Sequence, residues 1–201
     1  MKKIAFCLTA LISLISCNNE DENPDLYFRQ EMRNFVIAIS TYSKLNNPSF
    51  LIIPQNGVEL VTSDSNEDGP METDYLSAID GHGQEDLFYG YNNDDEATPA
   101  EDNAYLRIFL DLSKNAGNTI LVTDYCSTLS KMADSYTQNN TAGYVSFAAN
   151  HRELDNIPNY PNPIYGENNS VITSLSEVKN FLYLINPENY SSKTDFINAI
   201  T

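Results

Sequence analysis

An α/β fold built from repeating strand–helix units is predicted by two features of the sequence. Short, continuous apolar runs recur: Phe50-Leu51-Ile52-Ile53, Ile120-Leu121-Val122 and Gly143-Tyr144-Val145-Ser146-Phe147-Ala148. With a weaker strand at residues 78–85 they make four strand–helix repeats, of the length of parallel βαβ units. Parallel sheets carry helices on their faces, which is why their strands read as unbroken apolar runs rather than alternating ones.

The elements follow in order. Over residues 28–45, Met32, Phe35, Val36, Ile39 and Tyr42 fall at helical spacing and make one apolar stripe. Asn46-Asn47-Pro48 stops that helix. The run 50–53 is the first strand, buried on both faces, and Pro54-Gln55-Asn56-Gly57 is the loop after it. Residues 64–71 form a second loop, and residues 78–85 a second strand weakened by its glycines. A long polar loop spans 90–103. The helix 103–115 puts Leu106, Phe109, Leu110 and Ser113 on one face. Asn115 to Asn118 turn the chain into the third strand, which ends at Thr123-Asp124-Tyr125. Ser127 caps a helix running to about Gln138, and 143–148 is the fourth strand. Groups just past the strand C-termini are the functional candidates in such a sheet: Gln55, Asn56, Glu85 and Asp124.

The first 16 residues read as an address. Lys2-Lys3 precede an apolar run from Ile4 to Ile15 that is too short to span a bilayer. Leu14-Ile15-Ser16-Cys17 resembles a bacterial lipobox, in which Cys17 is lipidated and becomes the first residue; ordinary signal cleavage is the alternative. Residues 17–27 then form an acidic tether, and the expected location is the bacterial outer membrane, at the cell surface. An acidic stretch after the lipidated Cys resembles a surface-export signal. With Cys7 removed and Cys17 lipidated, Cys126 is the last of the three cysteines, so no internal disulfide is expected and the thiol is read as buried and inert.

A net charge of −17 on 201 residues, from 11 basic and 28 acidic side chains, argues against a nucleic-acid partner and against a basic lipid-docking patch. Asp64-Ser65-Asn66-Glu67-Asp68-Gly69 has the first half of a calcium loop, but Tyr75 stands where the bidentate Glu belongs. His82 and His151 lie far apart with no further ligand at zinc spacing, so no metal and no cofactor is expected.

Three blocks carry a family resemblance: MRNFVIAISTYSKLNNPSFLIIPQNGVEL (32–60), YLSAIDGHGQEDLFYG (75–90) and TILVTDYC (119–126). They resemble the bacterial endo-α-1,4-polygalactosaminidase-like glycoside hydrolases, which have a TIM-barrel fold, over roughly residues 28–155. The resemblance implies a partial (β/α) barrel of four to five parallel strand–helix units, corresponding to strands five to eight. It implies a polysaccharide substrate made of amino sugars, with Glu85 as a catalytic carboxylate. The partner carboxylate of the family, in a "YLD" block, has no counterpart here. Residues 180–200 (NFLYLINPENYSSKTDFINAI) resemble the family's opening strand and helix, so 156–201 reads either as a linker plus a permuted first βα unit or as an unrelated strand and helix.

Glycoside hydrolysis needs two carboxyl groups, one protonating the leaving oxygen and one attacking or activating water. Asp86 and the apolar Leu87-Phe88-Tyr89 beside Glu85 are expected to keep it protonated as the acid. Gln55 and Asn56 supply amides for sugar hydroxyls, Asp124 an acceptor, and Tyr89, Tyr91 and Tyr125 rings that can stack on sugars. Two functions stay open: a hydrolase whose chain is incomplete or inactive alone, and a non-catalytic surface lipoprotein or carbohydrate-binding remnant of the fold. A half barrel exposes sheet edges and an apolar face, so self-association or a partner supplying the missing half is expected.

Overall fold

A computed structural model describes residues 24–200; the signal segment, Cys17 and the tether up to residue 23 lie outside the described residues. The described residues open with a long helix, α1 (Pro24–Asn46), and a short one, α2 (Thr73–Ala78), follows. Three strands follow, β1 (Gly81–Glu85), β2 (Thr119–Tyr125) and β3 (Val145–Ala149). Helices α3 (Ala100–Asn115) and α4 (Leu129–Ala142) connect them, and α5 (Lys193–Ile200) lies near the C-terminus. The strands form an open parallel sheet in the order β1-β2-β3, with Gly83 opposite Leu121 and Thr123 opposite Phe147. Among the described residues no helix is long and apolar enough to cross a membrane.

Period-two alternation divides the sheet into two faces. Ile120, Val122 and Ala148 pack with Phe109 and Leu110 of α3 and Met132 and Tyr136 of α4. The helix 103–115 was therefore legible in its stripe; Phe109, Leu110 and Ser113 are buried as expected. The opposite face carries Glu85, Tyr125, Phe147 and Ala149, and the last three make a small cluster with Leu154, Phe181 and Tyr183. The tail supplies those last two aromatics: Phe181 sits 5.9 Å from Phe147 between ring centroids, and the N–H groups of Ile185 and Asn186 donate to the Leu154 carbonyl.

The expected first strand, 50–53, is not a regular strand. The segment runs parallel to β1 and touches it through Gly83 N–H to Pro54 O (2.8 Å) and Asn56 N–H to Gly83 O (2.8 Å), with one bridge at Gln55–Gly83. Pro54 has no N–H to give, and the Ile52 N–H is taken by the Asp80 side chain (2.8 Å), so a continuous ladder does not form. Nor is it buried on both faces: Ile52 is inside, but Phe50, Leu51 and Ile53 are exposed. The expected fifth strand is absent too; residues 180–186 pair with no strand, and α5 buries none of its residues.

Helix α1 departs furthest from expectation. Most of its apolar stripe faces outward: Phe35 is 60% and Tyr42 73% exposed, with Met32 and Ile39 also open, while Val36 packs against the core. The opposite side is held by polar anchors. The buried Arg33 donates to the carbonyls of Leu60 (2.8 Å) and Thr62 and lies 3.7 Å from Glu72. Ser40 donates to Ala78 O (2.6 Å), and Lys44 reaches Ala78 O and Asp80. Charge-assisted bonds to buried carbonyls fix this side of the helix, while among the described residues most of the stripe stays uncovered.

The N-terminus of α4 also differs. Thr128, not Ser127, is the cap residue; its side chain bonds no first-turn N–H, and the carboxylate that anchors it comes from Asp95. Asp95 accepts from Ser127 N–H (2.9 Å), Thr128 N–H (2.8 Å) and the Thr128 hydroxyl (2.6 Å), with Lys131 3.1 Å away. These donors hold the Asp95 carboxyl well below the usual range, the Thr128 hydroxyl contributing most. Asp95→Ala is expected to cost about 1–2 kcal/mol in a urea or thermal melt at pH 7. Because the folded-state pKa is depressed, this contribution is present above the unfolded value of about 4 and fades as pH falls below it. The gap between wild type and variant should therefore shrink between pH 5 and the acid limit of folding; a gap that stays constant contradicts the cap.

Candidate functional site

The C-terminal ends of β1 and β2 and of the 51–56 segment converge on Glu85. Asn56 has a left-handed backbone (φ 57) and is tied down on all sides. Its Oδ1 accepts the Glu85 N–H (3.0 Å), and its Nδ2 faces Glu85 Oε2 at 3.4 Å. Its carbonyl lies 3.1 Å from His82 Nε2. A carbonyl can only accept, so Nε2 carries the proton. Burial lowers the His82 pKa, which keeps the ring neutral. A left-handed Asn held this firmly is the kind of local strain found where geometry matters.

Gln55 lies over Gly83: a Cβ on that glycine would meet Gln55 Oε1 at 2.1 Å. The glycine that weakened the strand in the sequence thus makes room for a side chain expected at the site. On the other side, the Tyr125 hydroxyl donates to Glu85 Oε1 at 2.5 Å. Glu85 itself is half-buried.

Next to this group is a latch that sequence patterns did not reveal. Arg152 donates to Asp86 (2.9 Å), Asp94 (2.6 Å) and the Gly90 carbonyl (2.8 Å), and its guanidinium lies 4.0 Å above the Tyr125 ring. Gly90 has φ 114, and a Cβ there would meet Asp86 Oδ1 at 2.3 Å, so the close approach requires glycine. Asp86, expected as an acidic neighbour of Glu85, turns its carboxylate to Arg152 instead. Leu87 and Phe88 leave the site for the helix-side core.

Two expected site residues lie elsewhere. Tyr89 is buried and donates to Asp134 Oδ2 (2.8 Å), on the α4 side. Asp124 is fully buried, on the helix-facing side of β2. It accepts from Phe88 N–H (2.8 Å), Tyr89 N–H (3.2 Å), the Ser135 hydroxyl (2.6 Å) and Asn139 Nδ2 (3.0 Å). Both oxygens are committed, so it ties the loop after β1 to α4 and is not a ligand for sugar; alternation along β2 puts Asp124 and Tyr125 on opposite faces. Tyr91 is exposed, whereas Tyr125 is 3% exposed with its ring under Arg152, closed to sugar stacking.

The 64–69 loop folds onto itself: Asp64 Oδ1 accepts the Asn66 N–H (3.0 Å), which holds that carboxyl below its usual range, and a Cβ on Gly69 would meet the same oxygen at 1.9 Å. No cluster of three or more ligating side chains occurs among the described residues. Cys126 is a buried free thiol whose pKa burial pushes up to about 12.

No protein-family model matches the chain. It is 34% identical over 150 residues to an uncharacterized protein of Methanocaldococcus jannaschii, covering 70% of this chain and 40% of that protein. It is 30% identical over 139 residues to an uncharacterized protein of Thermotoga maritima, covering 64% and 39%. A protein of Deinococcus radiodurans, also uncharacterized, is 26% identical over 130 residues, covering 64% and 38%. The chain thus spans about two fifths of the length of the curated relatives it matches.

Proposed function

We propose that the chain is part of a (β/α)-barrel glycoside hydrolase of the endo-α-1,4-polygalactosaminidase-like type, acting on an amino-sugar polysaccharide through Glu85. The observation that supports this reading most is the setting of Glu85: a carboxylate at the C-terminal end of a parallel strand, flanked by amide and phenol groups from the neighbouring strand ends. Barrel enzymes carry their chemistry at that end of the strands. The parallel order from the 51–56 segment through β1, β2 and β3 is the order of consecutive barrel units. A deacetylated substrate is cationic, which suits a chain of charge −17.

The alternative, a carbohydrate-binding remnant without catalysis, is favoured by one observation. The other strand-end carboxylate, Asp124, is buried and committed, and Asp86 is paired with Arg152, so Glu85 lacks a free acidic partner among the described strand-end residues. Incubating the chain, fused to barrel units that supply a second carboxylate, with partially deacetylated α-1,4-galactosaminogalactan separates the two readings: reducing ends released by the fusion and not by its Glu85→Gln variant support the hydrolase, and binding without release supports the remnant.

We also propose that the protein is secreted and lipid-anchored at the bacterial cell surface through Cys17. A clickable fatty acid should label wild-type cells and spare Cys17→Ser; equal labelling of both contradicts the anchor. The outward stripe of α1 and the open 50–53 edge form an apolar face for further barrel chain or a second copy. The chain is expected to self-associate in sedimentation, and Phe35→Glu with Ile39→Glu to restore a monomer. A wild type that is a monodisperse monomer with a cooperative melt contradicts this.

A further inference from the structure

We infer that Tyr125 is a positioning residue for Glu85, and that Arg152 is the latch that fixes Tyr125. This rests on the reading of Glu85 as the ligand-facing carboxylate. Three observations carry it. The phenol hydroxyl holds Glu85 Oε1 at 2.5 Å, while Oε2 has only the longer 3.4 Å approach of Asn56 Nδ2. The two oxygens are therefore unequal: Oε1 is fixed by the protein, and Oε2 is the one offered to a ligand. Second, the Tyr125 ring cannot move aside. Arg152 covers it at 4.0 Å, Phe147, Ala149 and Leu154 cluster with it, and it is almost wholly buried. Third, Arg152, just after β3, is itself immobilised by Asp86, Asp94 and the Gly90 carbonyl, all in the loop between β1 and α3. Planar guanidinium donors with fixed acceptors make a stacked lid that an ammonium does not reproduce.

The same geometry assigns distinct effects to three substitutions. Tyr125→Phe keeps the ring, its packing and the Arg152 stack, and removes one hydrogen bond. Glu85→Gln keeps the shape and replaces a charged acceptor by a weaker neutral one. Arg152→Lys keeps the charge and loses the planar cover.

The experiment is proton NMR of the full chain. A phenol proton bound this closely to a carboxylate and shielded from water should appear downfield of the amide envelope. It should vanish in Tyr125→Phe, move upfield in Glu85→Gln and broaden through water exchange in Arg152→Lys. Amide spectra of the variants should overlay the wild type away from the strand ends, which separates lost positioning from lost folding. Binding of an α-1,4-galactosamine oligosaccharide should weaken about tenfold in Tyr125→Phe, since a displaced carboxylate forfeits alignment. A downfield proton unchanged in Tyr125→Phe or in Glu85→Gln overturns the inference, as does wild-type affinity in Tyr125→Phe when Glu85→Gln binds weakly. If the proton behaves as stated but Glu85→Gln binds as tightly as wild type, the positioning stands and the ligand reading of Glu85 fails.

Discussion

Asp124→Ala should leave a chain that barely folds. The substitution strands four buried donors: two backbone N–H groups of the loop after β1, one hydroxyl and one amide of α4. Each unpaired buried donor costs about 1–3 kcal/mol, and breaking a buried charged network costs about 3–5 kcal/mol. A domain has about 5–15 kcal/mol in total, so most of it is lost. Asp124→Asn should be milder, since one oxygen still accepts from Phe88 and Tyr89, but its amide then faces the amide of Asn139. Ionisation has the opposite sign to that of Asp95. Burial pushes the Asp124 carboxyl up, against the pull of its four donors. A raised folded-state pKa means that its contribution is present below the unfolded value and weakens as pH rises above it. Chemical denaturation of the three proteins checks the ranking; near-wild-type stability of Asp124→Ala would show that water or repacking replaces the network.

The second large effect is catalytic. The 201-residue chain alone should release no measurable reducing ends from α-1,4-galactosaminogalactan. One carboxylate cannot both protonate the leaving oxygen and attack or activate water in one step, and acid–base help alone is worth on the order of 10²–10⁴-fold. Asp124 is the obvious substitute in the sequence, and its burial removes it. When fused to barrel units that supply a second carboxylate, the protein should gain turnover, and Glu85→Gln in that fusion should abolish it while binding weakens but stays measurable. Enzymatic turnover by the isolated chain would mean that another carboxylate serves, and full activity of the Glu85→Gln fusion would make Glu85 a bystander.

What could be read from the sequence was local. Ile120-Leu121-Val122 announced a buried strand because both faces of β2 are covered, by helices on one side and by the tail at its upper end on the other. The α3 stripe announced itself because one side of that helix meets the sheet. Asn56 and Glu85 were legible as strand-end polar groups, and the structure brings them together with Gln55 alongside. What failed was long-range. Nothing near Asp95 says that it anchors the cap residue of a helix 33 residues later, and nothing near Arg152 says that it reaches back 66 residues to Asp86. Asp124 looked like a site residue because it ends an apolar run, but alternation had already turned it toward the helices while Tyr125 faced Glu85. The α1 stripe was read correctly as apolar, yet most of it is exposed, since periodicity marks a face that wants cover and is silent on whether cover is present.

The central claim, that the strand-end group around Glu85 takes an amino-sugar chain, is tested most directly by amide NMR titration of the chain with an α-1,4-galactosamine oligosaccharide. Shifts concentrated at Asn56, Glu85, Asp86 and Tyr125, and lost when acetylation removes the positive charge of the sugar, are the predicted result. Shifts confined to the opposite end of the strands, around Lys114, Thr119 and Val145, or no shifts at any concentration, would contradict it.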